Sequence, residues 1–299
     1  MSAEILNGRE MAAEVRAEVA STVQEMEGKH SVTPGLAVVL VGDDSASAVY
    51  VRNKERAAVE AGIRFKGCLL PADAAQEEVL RTIRKLNDDP AYHGILVQLP
   101  LPSHINENVV IESIDAEKDV DGLHPYNMGL LMAGRPRFAP ATPAGIQQIL
   151  VRSGNPPEGK HVVVCGRSNI VGKPIANMLM QRSPDANATV TICHTMTRDL
   201  PSITRQADIL IAAVGRPQMI TADMVKTGVV VIDVGVNRVE DGSRKRGYRL
   251  VGDVDFEPVA RKAKAITPVP GGVGPMTIAM LLRNTVDAAR RRIHPELHD

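Results

Sequence analysis

The chain has 299 residues, its 35 Lys and Arg balance 35 Asp and Glu, and it contains no Trp, four Tyr and three Phe. The zero net charge argues against a nucleic-acid-binding surface. The few aromatic residues argue against a site that binds single-stranded nucleic acid by stacking its bases. Three cysteines without metal-ligand spacing are typical of the reducing cytoplasm. No apolar run approaches eighteen residues, and we expect the chain to have no leader. We expect a cytoplasmic protein of two domains, without a metal or a membrane span.

The first part of the chain alternates predicted strands with predicted helices. After an amphipathic helix over residues 8–28, strands are predicted over 36–41, 63–70 and 94–99, and helices over 47–61, 76–87 and 106–111. Short apolar runs separated by helical segments are typical of a parallel sheet with helical crossovers. A polar loop over residues 115–125 ends this alternation.

A second alternation follows a helix over residues 142–152. Its predicted strands are 161–165, 188–193, 209–214, 229–234 and 265–269, and its predicted helices are 172–181, 200–206, 221–226 and 276–292. The pattern predicts a second α/β domain with a cleft between the two domains. We place the domains at 1–139 and 140–270, and expect residues 271–299 to form a cleft loop and a helix that packs back on the first domain.

One face of the predicted helix over 47–61 carries a hydroxyl, a phenol and an amine. Ser47, Tyr50 and Lys54 are spaced i, i+3 and i+7, so they share this face. The helix follows a buried strand, and open α/β sheets bind their ligands beyond the carboxyl ends of the strands. The spacing indicates a catalytic group, although a snorkelling Lys and a half-buried Tyr on a surface helix are the alternative interpretation.

Two further segments carry polar groups: the end of the predicted strand over 94–99 and the loop that follows it in the chain. Gln98 lies at the end of the apolar strand over 94–99, where a buried amide needs a hydrogen-bond partner. Lys118, Asp119 and Asp121 lie in the polar loop that follows. Loops rich in ionisable groups are often functional, and a solvated acidic loop is the alternative.

Residues 162–172 combine a strand, a tight turn and a helix start with the spacing Gly-x-Ser-x-x-x-Gly. Gly166 permits the turn, Gly172 permits close packing of helix on strand, and Ser168 with backbone N–H groups can meet a pyrophosphate. This pattern predicts a Rossmann-type dinucleotide site, and a plain strand-to-helix turn is the alternative.

The residues at the end of the next predicted strand distinguish between NAD and NADP as the cofactor. An NAD site usually ends that strand with an acid for the ribose diol, but here it ends with His194 and Thr195. Arg167, His194 and Thr195 could bind a 2′-phosphate, and no carboxylate is there to repel it. NADP is therefore favoured over NAD.

Taken together, these segments resemble the bifunctional methylenetetrahydrofolate dehydrogenase/methenyltetrahydrofolate cyclohydrolases. The matching stretches follow family order over most of the chain: 41–54, 94–102, 118–125, 166–174, 207–217, 231–237 and 267–277. The resemblance implies NADP-dependent oxidation of 5,10-methylenetetrahydrofolate to 5,10-methenyltetrahydrofolate, and then hydrolysis to 10-formyltetrahydrofolate. It also implies a homodimer formed through the second domain.

The resemblance assigns roles to particular residues. Lys54 is the catalytic lysine, Tyr50, Gln98 and Asp121 contact the folate or tune Lys54, and residues 270–275 close the folate cleft. The residues implied to line the NADP site are Gly166, Arg167, Ser168, Thr191 and Ile232.

Three positions depart from the family pattern. Ala141 stands where Cys is expected, Leu123 stands where Phe is common, and Thr195 replaces a usual Ser while keeping its hydroxyl. None is a matched catalytic position, so we expect activity to be kept and only the shape of the pocket to change.

Two other functions compete with this interpretation. An amino-acid or hydroxy-acid dehydrogenase would need a carboxylate clamp, and no Arg in the first-domain motifs is an obvious one. A dinucleotide sensor would explain the second domain, but it would not explain Tyr50, Lys54, Gln98 and Asp121.

Overall fold

The structure is a computed structural model that describes residues 3–244 and 247–294. Two compact units are present: residues 13–141 with 278–299, here called the three-stranded unit, and residues 1–12 with 142–277, here called the six-stranded unit. Residues 1–2, 245–246 and 295–299, which the predicted domain boundaries include, lie outside the described residues. The predicted boundaries themselves stay a prediction.

The elements follow one another as alternating helices and strands. Those before residue 160 are β1 (Glu4–Ile5), α1 (Gly8–His30), β2 (Gly35–Val41), α2 (Ser45–Glu60), β3 (Arg64–Leu70), α3 (Gln76–Asp88), β4 (Gly94–Val97), α4 (Glu107–Glu112), α5 (Pro125–Met132) and α6 (Ala141–Arg152). Those after it are β5 (His161–Cys165), α7 (Gly172–Leu179), β6 (Thr189–Cys193), α8 (Leu200–Thr204), β7 (Ile209–Ala212), a 3-10 turn (Ala222–Met224), β8 (Val230–Asp233), β9 (Asn237–Glu240), β10 (Tyr248–Val251), α9 (Phe256–Ala260), β11 (Ala265–Ile266) and α10 (Val273–Ile293).

The three-stranded unit is built on a parallel sheet in the order β3-β2-β4. Every residue of β2 is buried, as its continuous apolar sequence predicts for the central strand of a parallel sheet. The core on one face joins β2 and β4 to α3 through Val39, Val79, Ile83 and Ile95. The carboxyl ends of β2 and β4 therefore lie side by side, with Val39 opposite Val97.

The six-stranded unit has a parallel sheet in the order β1-β11-β8-β7-β5-β6 and a separate antiparallel hairpin of β9 and β10. Its core includes Val163, Leu210, Val231 and Ile266 from four neighbouring strands. At the carboxyl edge Cys165 of β5 pairs with Cys193 and with Ala212. Three strand ends thus meet at one edge, where the turn after β5 begins.

Two predicted helices differ from the structure. The prediction of a helix over 221–226 is wrong, because only Ala222–Met224 form a 3-10 turn and Val225 is extended and buried in the core. The last helix begins at Val273 rather than at residue 276. Its first turn accepts Pro275, since a proline there removes no hydrogen bond that the helix needs.

Several short elements were not predicted from the sequence. The strand β1 pairs with β11 through Glu4 and Ile5, which places the start of the chain in the six-stranded unit. The helix α5 begins within the predicted polar loop, where the His124 side chain accepts a hydrogen bond from the Tyr126 N–H and Pro125 occupies the first turn.

A buried histidine in the three-stranded unit should make stability depend on pH. His93 is 7% exposed, and its Nδ1 accepts a hydrogen bond from the Gly35 N–H at 3.1 Å. Burial, with the nearby cations Arg292, Lys118 and Arg64, lowers the pKa of His93 to about 4. The His93 imidazole therefore takes up a proton near pH 6.5 in the unfolded chain, but only near pH 4 in the folded chain. As the pH is lowered from about 6.5 towards 4, the free energy of unfolding falls by about 1.4 kcal/mol per pH unit.

Denaturant unfolding of wild type and His93→Gln at pH 7 and pH 4.5 measures this effect. We expect the loss of unfolding free energy between these two pH values to be clearly smaller in His93→Gln. The control is His104→Gln, which removes an exposed imidazole and should keep the wild-type difference. An equal pH dependence in all three proteins would contradict the assignment to His93.

Candidate active site

The structure brings the predicted lysine and glutamine together. Lys54 lies on α2 and Gln98 directly follows β4, and the Lys54 Nζ donates a hydrogen bond to Gln98 Oε1 at 2.8 Å. Gln98 Nε2 donates to the Leu99 carbonyl oxygen at 2.7 Å, which turns the amide oxygen towards the lysine. The Lys54 side chain is only 8% exposed, so its amine is held in a fixed, largely dry position.

Asp121 and Lys54 influence each other electrostatically. Burial lowers the pKa of Lys54, and the negative charge of Asp121 opposes that shift. Burial also raises the pKa of Asp121 to about 6, against the opposite effect of the Lys54 cation. In the described part of the chain, no group donates a hydrogen bond to the Asp121 carboxylate. With a pKa of about 6 this carboxylate is mostly ionised at pH 7, and its half-buried side chain is available to a ligand.

Tyr50 lies one helical turn before Lys54 on α2. Its side chain is 41% exposed, whereas Ser47, on the same face, is 6% exposed. The Asp44 side chain begins the helix by accepting a hydrogen bond from the Ser47 N–H at 2.7 Å. The predicted face is thus formed, and the phenol ring is its accessible part.

The loop that carries Asp121 is anchored by two residues whose separate roles the sequence did not reveal. Lys118 is 1% exposed, and its Nζ donates to the carbonyl oxygens of Leu86 at 2.9 Å and Asp89 at 2.8 Å. Asp119, also 1% exposed, accepts hydrogen bonds from loop N–H groups and from the Asn127 amide at 2.8 Å. These contacts fix the backbone on the N-terminal side of Asp121.

The last helix adds a third anchor. Asn284 of α10 donates from Nδ2 to the carbonyl oxygens of Val120 at 2.8 Å and Ala139 at 2.9 Å. Asn284 was not predicted as a site residue, because it is distant in sequence and follows no motif. It holds the peptide immediately before Asp121, so the position of this carboxylate depends on α10.

A second pocket lies at the carboxyl edge of the six-stranded sheet. Its walls come from the three strand ends and the turns after them: Cys165, Gly166, Arg167, Ser168, Cys193, His194, Thr195, Leu200, Ala213, Val214, Arg216 and Met219. Gly166 has a φ of 132°, and a Cβ there would collide with the Ala213 carbonyl oxygen. Only glycine fits this turn, as predicted. Arg216 lines the pocket but was not predicted.

The predicted NADP-site residues occupy different positions relative to this pocket. Gly166, Arg167 and Ser168 line it, and the Ser168 Oγ accepts a hydrogen bond from the Val171 N–H at 3.2 Å, at the start of α7. Thr191 lies within β6, where its hydroxyl contacts His161 Nε2 at 2.9 Å. Ile232 is fully buried in β8. The roles of these residues stay predictions.

The lining of the second pocket fits an NADP-type ligand. Two guanidinium groups, an imidazole and two hydroxyl groups lie around it, and none of its described lining residues carries a carboxylate. Such a set of donors suits phosphate oxygens, including a 2′-phosphate. Within the described residues, no cluster of three His, Cys, Asp or Glu could hold a metal, and no helix could span a membrane.

The six-stranded unit has a glycine turn, at Gly166, at the end of its strands. The three-stranded unit holds the buried Lys54 near the Asp121 carboxylate. These two features together are typical of a dinucleotide-dependent enzyme. Family models match both parts of the chain: the tetrahydrofolate dehydrogenase/cyclohydrolase catalytic domain over residues 6–121, and the NAD(P)-binding domain of the same enzymes over 140–293. The chain belongs to the tetrahydrofolate dehydrogenase/cyclohydrolase family.

Individual relatives agree over nearly the whole chain. The bifunctional protein FolD of Moorella thermoacetica is 60% identical over 97% of this chain and 100% of its own length. The crystal structure of bifunctional FolD from Campylobacter jejuni is 47% identical, covers 97% of this chain and 100% of that chain, and gives a TM-score of 0.91.

A structure of a third relative was solved with a ligand. The Trypanosoma brucei methylenetetrahydrofolate dehydrogenase-cyclohydrolase, crystallised with NADP and an inhibitor, is 39% identical over 98% of this chain and 99% of that chain, with a TM-score of 0.93. The predicted family, two-domain α/β fold, enzyme class and NADP cofactor are thereby confirmed.

Proposed function

We propose that Lys54, Gln98, Tyr50 and Asp121 form the folate site at which this enzyme carries out both of its reactions. The enzyme oxidises 5,10-methylenetetrahydrofolate to 5,10-methenyltetrahydrofolate with NADP and then hydrolyses the product to 10-formyltetrahydrofolate. The hydrogen bond between the buried Lys54 amine and Gln98 carries the proposal, because it holds a proton-transfer group in a site with little water.

Lys54 accepts and donates the proton in the hydrolysis step. Addition of water to the methenyl cation and opening of the one-carbon bridge both require proton transfer, which is typically worth ~10²–10⁴-fold in rate. A solvated lysine is too basic to give up and take back a proton easily at neutral pH. Burial lowers the pKa of Lys54, and Gln98 directs its Nζ through the amide oxygen.

Asp121 and Tyr50 bind and orient the folate. An ionised carboxylate can accept two parallel hydrogen bonds from the amino group and ring N–H of the pterin. The exposed ring of Tyr50 offers a flat surface to the aminobenzoyl ring. The anchored loop supports this assignment, since Lys118, Asp119 and Asn284 hold Asp121 in place.

The pocket of the six-stranded unit binds NADP. The turn at Gly166, with Arg167 and Ser168, receives the phosphates. Thr191 and Ile232 are the further residues that we assign to the NADP site. When bound, NADP supplies the hydride acceptor for the oxidation. We also propose that residues 1–139 form the folate domain, apart from β1, which joins the sheet of the six-stranded unit. Residues 140–270 then form the NADP domain, and 271–299 carry a helix of the folate domain.

The function is tested by following methenyltetrahydrofolate absorbance in two stages. The purified protein should generate this absorbance from methylenetetrahydrofolate and NADP, and it should remove added methenyltetrahydrofolate faster than buffer alone. A dinucleotide sensor would bind NADP and give neither signal. An amino-acid or hydroxy-acid dehydrogenase would reduce NADP with its own substrates and not with the folate.

Cofactor preference is a further expected result. Arg167, His194 and Thr195 line the pocket, and no described lining residue has a carboxylate that would repel a 2′-phosphate or bind a ribose diol. We expect kcat/KM to be at least about tenfold higher with NADP than with NAD, a difference of about 1.4 kcal/mol. Steady-state kinetics with both cofactors measure the ratio, and equal use of NAD would contradict the proposed role of these three side chains.

We further propose that the enzyme is a cytoplasmic homodimer. Three free cysteines, Cys68, Cys165 and Cys193, support a reducing compartment. The zero net charge leaves association unopposed by self-repulsion. Light scattering at micromolar concentration should give twice the chain mass of 32.1 kDa. A single species at the chain mass would contradict the dimer.

A further inference from the structure

Two carboxylates are buried side by side behind the second pocket. Asp233 ends β8 and is 2% exposed, and Asp253 follows β10 and is 0% exposed. Burial raises the pKa of Asp233 to about 7, and the nearby charge of Asp253 adds to this effect. Both groups are far from Lys54 in sequence, and the reactions at the folate site do not use them.

Asp253 binds the backbone of the pocket wall. Its Oδ2 accepts hydrogen bonds from the N–H groups of Val214 at 2.7 Å and Gly215 at 2.9 Å, and its Oδ1 accepts one from Asn237 Nδ2 at 2.9 Å. Val214 is itself a lining residue of the pocket, as is Arg216 two residues later. The carboxylate therefore fixes the direction in which this turn leaves β7.

Asp233 in turn holds the backbone that carries Asp253. Its Oδ1 accepts from the N–H groups of Asp253 at 2.9 Å and Gly235 at 3.0 Å, and its Oδ2 accepts from the Val254 N–H at 3.0 Å. Peptide N–H groups and one amide satisfy both carboxylates, so the pair connects the end of β8, the hairpin and the pocket wall.

The fixed turn also determines the shape of the cofactor turn beside it. The Ala213 N–H donates to the Cys165 carbonyl oxygen at 2.8 Å, and the Ala213 carbonyl lies against Gly166. A shift of the turn after β7 would therefore move the wall that faces Arg167 and Ser168. Small displacements of this kind in positioning groups have large effects on binding and rate.

We propose that Asp253 is a positioning residue for cofactor binding, which sets the pocket wall at Val214 and Gly215 without contacting the cofactor. This inference rests on the proposed assignment of the pocket to NADP. It predicts a selective effect: the affinity for NADP depends on Asp253, whereas the affinity for the folate does not.

The test removes the acceptor and then restores it. Asp253→Ala leaves the N–H groups of Val214 and Gly215 without their carboxylate. We expect the KM for NADP to rise by about tenfold or more, with kcat at saturating NADP and the KM for folate within about threefold of wild type. Asp253→Asn keeps an oxygen on Val214 and Gly215, and Asn237 can turn its amide to accept from the new NH₂ group, so the KM for NADP should stay within about threefold of wild type.

A matched control separates positioning from a general loss of stability. Asp208 is a carboxylate of the same unit that accepts from the His161 N–H at 2.9 Å and from Lys226, at the opposite edge of the sheet. Asp208→Ala should leave the KM for NADP unchanged, even where thermal unfolding shows lost stability. Equal changes in the KM for NADP in Asp208→Ala and Asp253→Ala would overturn the proposal.

Other outcomes are equally decisive. A wild-type KM for NADP in folded Asp253→Ala, or a KM in Asp253→Asn raised as far as in Asp253→Ala, overturns the positioning role. If Asp253→Ala does not fold, Asp253→Ser decides, because its shorter hydroxyl cannot reach both N–H groups: a raised KM for NADP supports the proposal, and a wild-type KM overturns it. If wild type itself fails to bind NADP in a calorimetric titration, the proposed function fails instead.

Discussion

Lys54→Met is expected to lose nearly all cyclohydrolase activity, by at least about a hundredfold, while a measurable dehydrogenase activity remains. Hydride transfer requires alignment of two rings and releases no proton with the hydride, but water addition requires proton transfer. Methionine keeps much of the aliphatic stem in the buried site, so little packing is lost. Methenyltetrahydrofolate should then accumulate instead of being hydrolysed.

Both rates must be measured on the same purified variant, with folding checked by circular dichroism. Lys66→Met is the matched control, because Lys66 is an exposed lysine on β3 of the same unit and should keep both activities. Wild-type cyclohydrolase activity in folded Lys54→Met would end the proposed role of this amine. Equal loss of both activities would show instead that Lys54 mainly positions the folate.

Asp121→Ala is expected to damage both activities, because both reactions use the same bound pterin. Loss of two hydrogen bonds to a charged acceptor, each worth about 1.5–3 kcal/mol, should weaken folate binding by about a hundredfold or more. A folate titration of wild type and variant measures this change. Glu117→Ala is the control, since Glu117 lies on the same loop with its side chain 57% exposed and should keep the wild-type affinity.

The pH dependence of wild-type folate binding gives an independent check. Burial raises the pKa of Asp121 to about 6, so the carboxylate is ionised above that pH and takes up a proton below it. Folate affinity should therefore fall as the pH is lowered through about 6, and this fall should be absent in Asp121→Ala. Unchanged affinity in the variant at pH 7.5 would contradict the proposed contact between Asp121 and the pterin.

Long elements with a clear apolar pattern could be predicted from the sequence. The strand β5 was predicted at its observed bounds, and α3 differs by one residue, because burial of an apolar run or face dominates their local structure. Short elements could not be predicted. The strand β1 has two residues and exists only through pairing with β11, which is over 250 residues away in sequence. The 3-10 turn at Ala222–Met224 gives way to an extended Val225 that packs into the core.

The candidate site could be predicted where local spacing carries the information. Tyr50 and Lys54 share one helical face, and Gln98 directly follows a strand, so the sequence pattern alone identified these three residues as candidates. The supporting residues depend on contacts between distant segments. Asn284 reaches the peptide before Asp121 across more than 160 positions of sequence, and no pattern around it indicates this contact.

NMR titration of lysines labelled with ¹³C at Cε shows most directly whether burial lowers the pKa of the Lys54 amine, on which its proposed part in proton transfer depends. The Lys54 resonance is assigned by its absence from the spectrum of Lys54→Met. Because burial outweighs the attraction of Asp121, we expect this resonance to titrate below the usual lysine pKa of about 10.4. A Lys54 resonance that titrates at or above that value would contradict the proposed role of Lys54, since the amine would then hold its proton throughout the reaction.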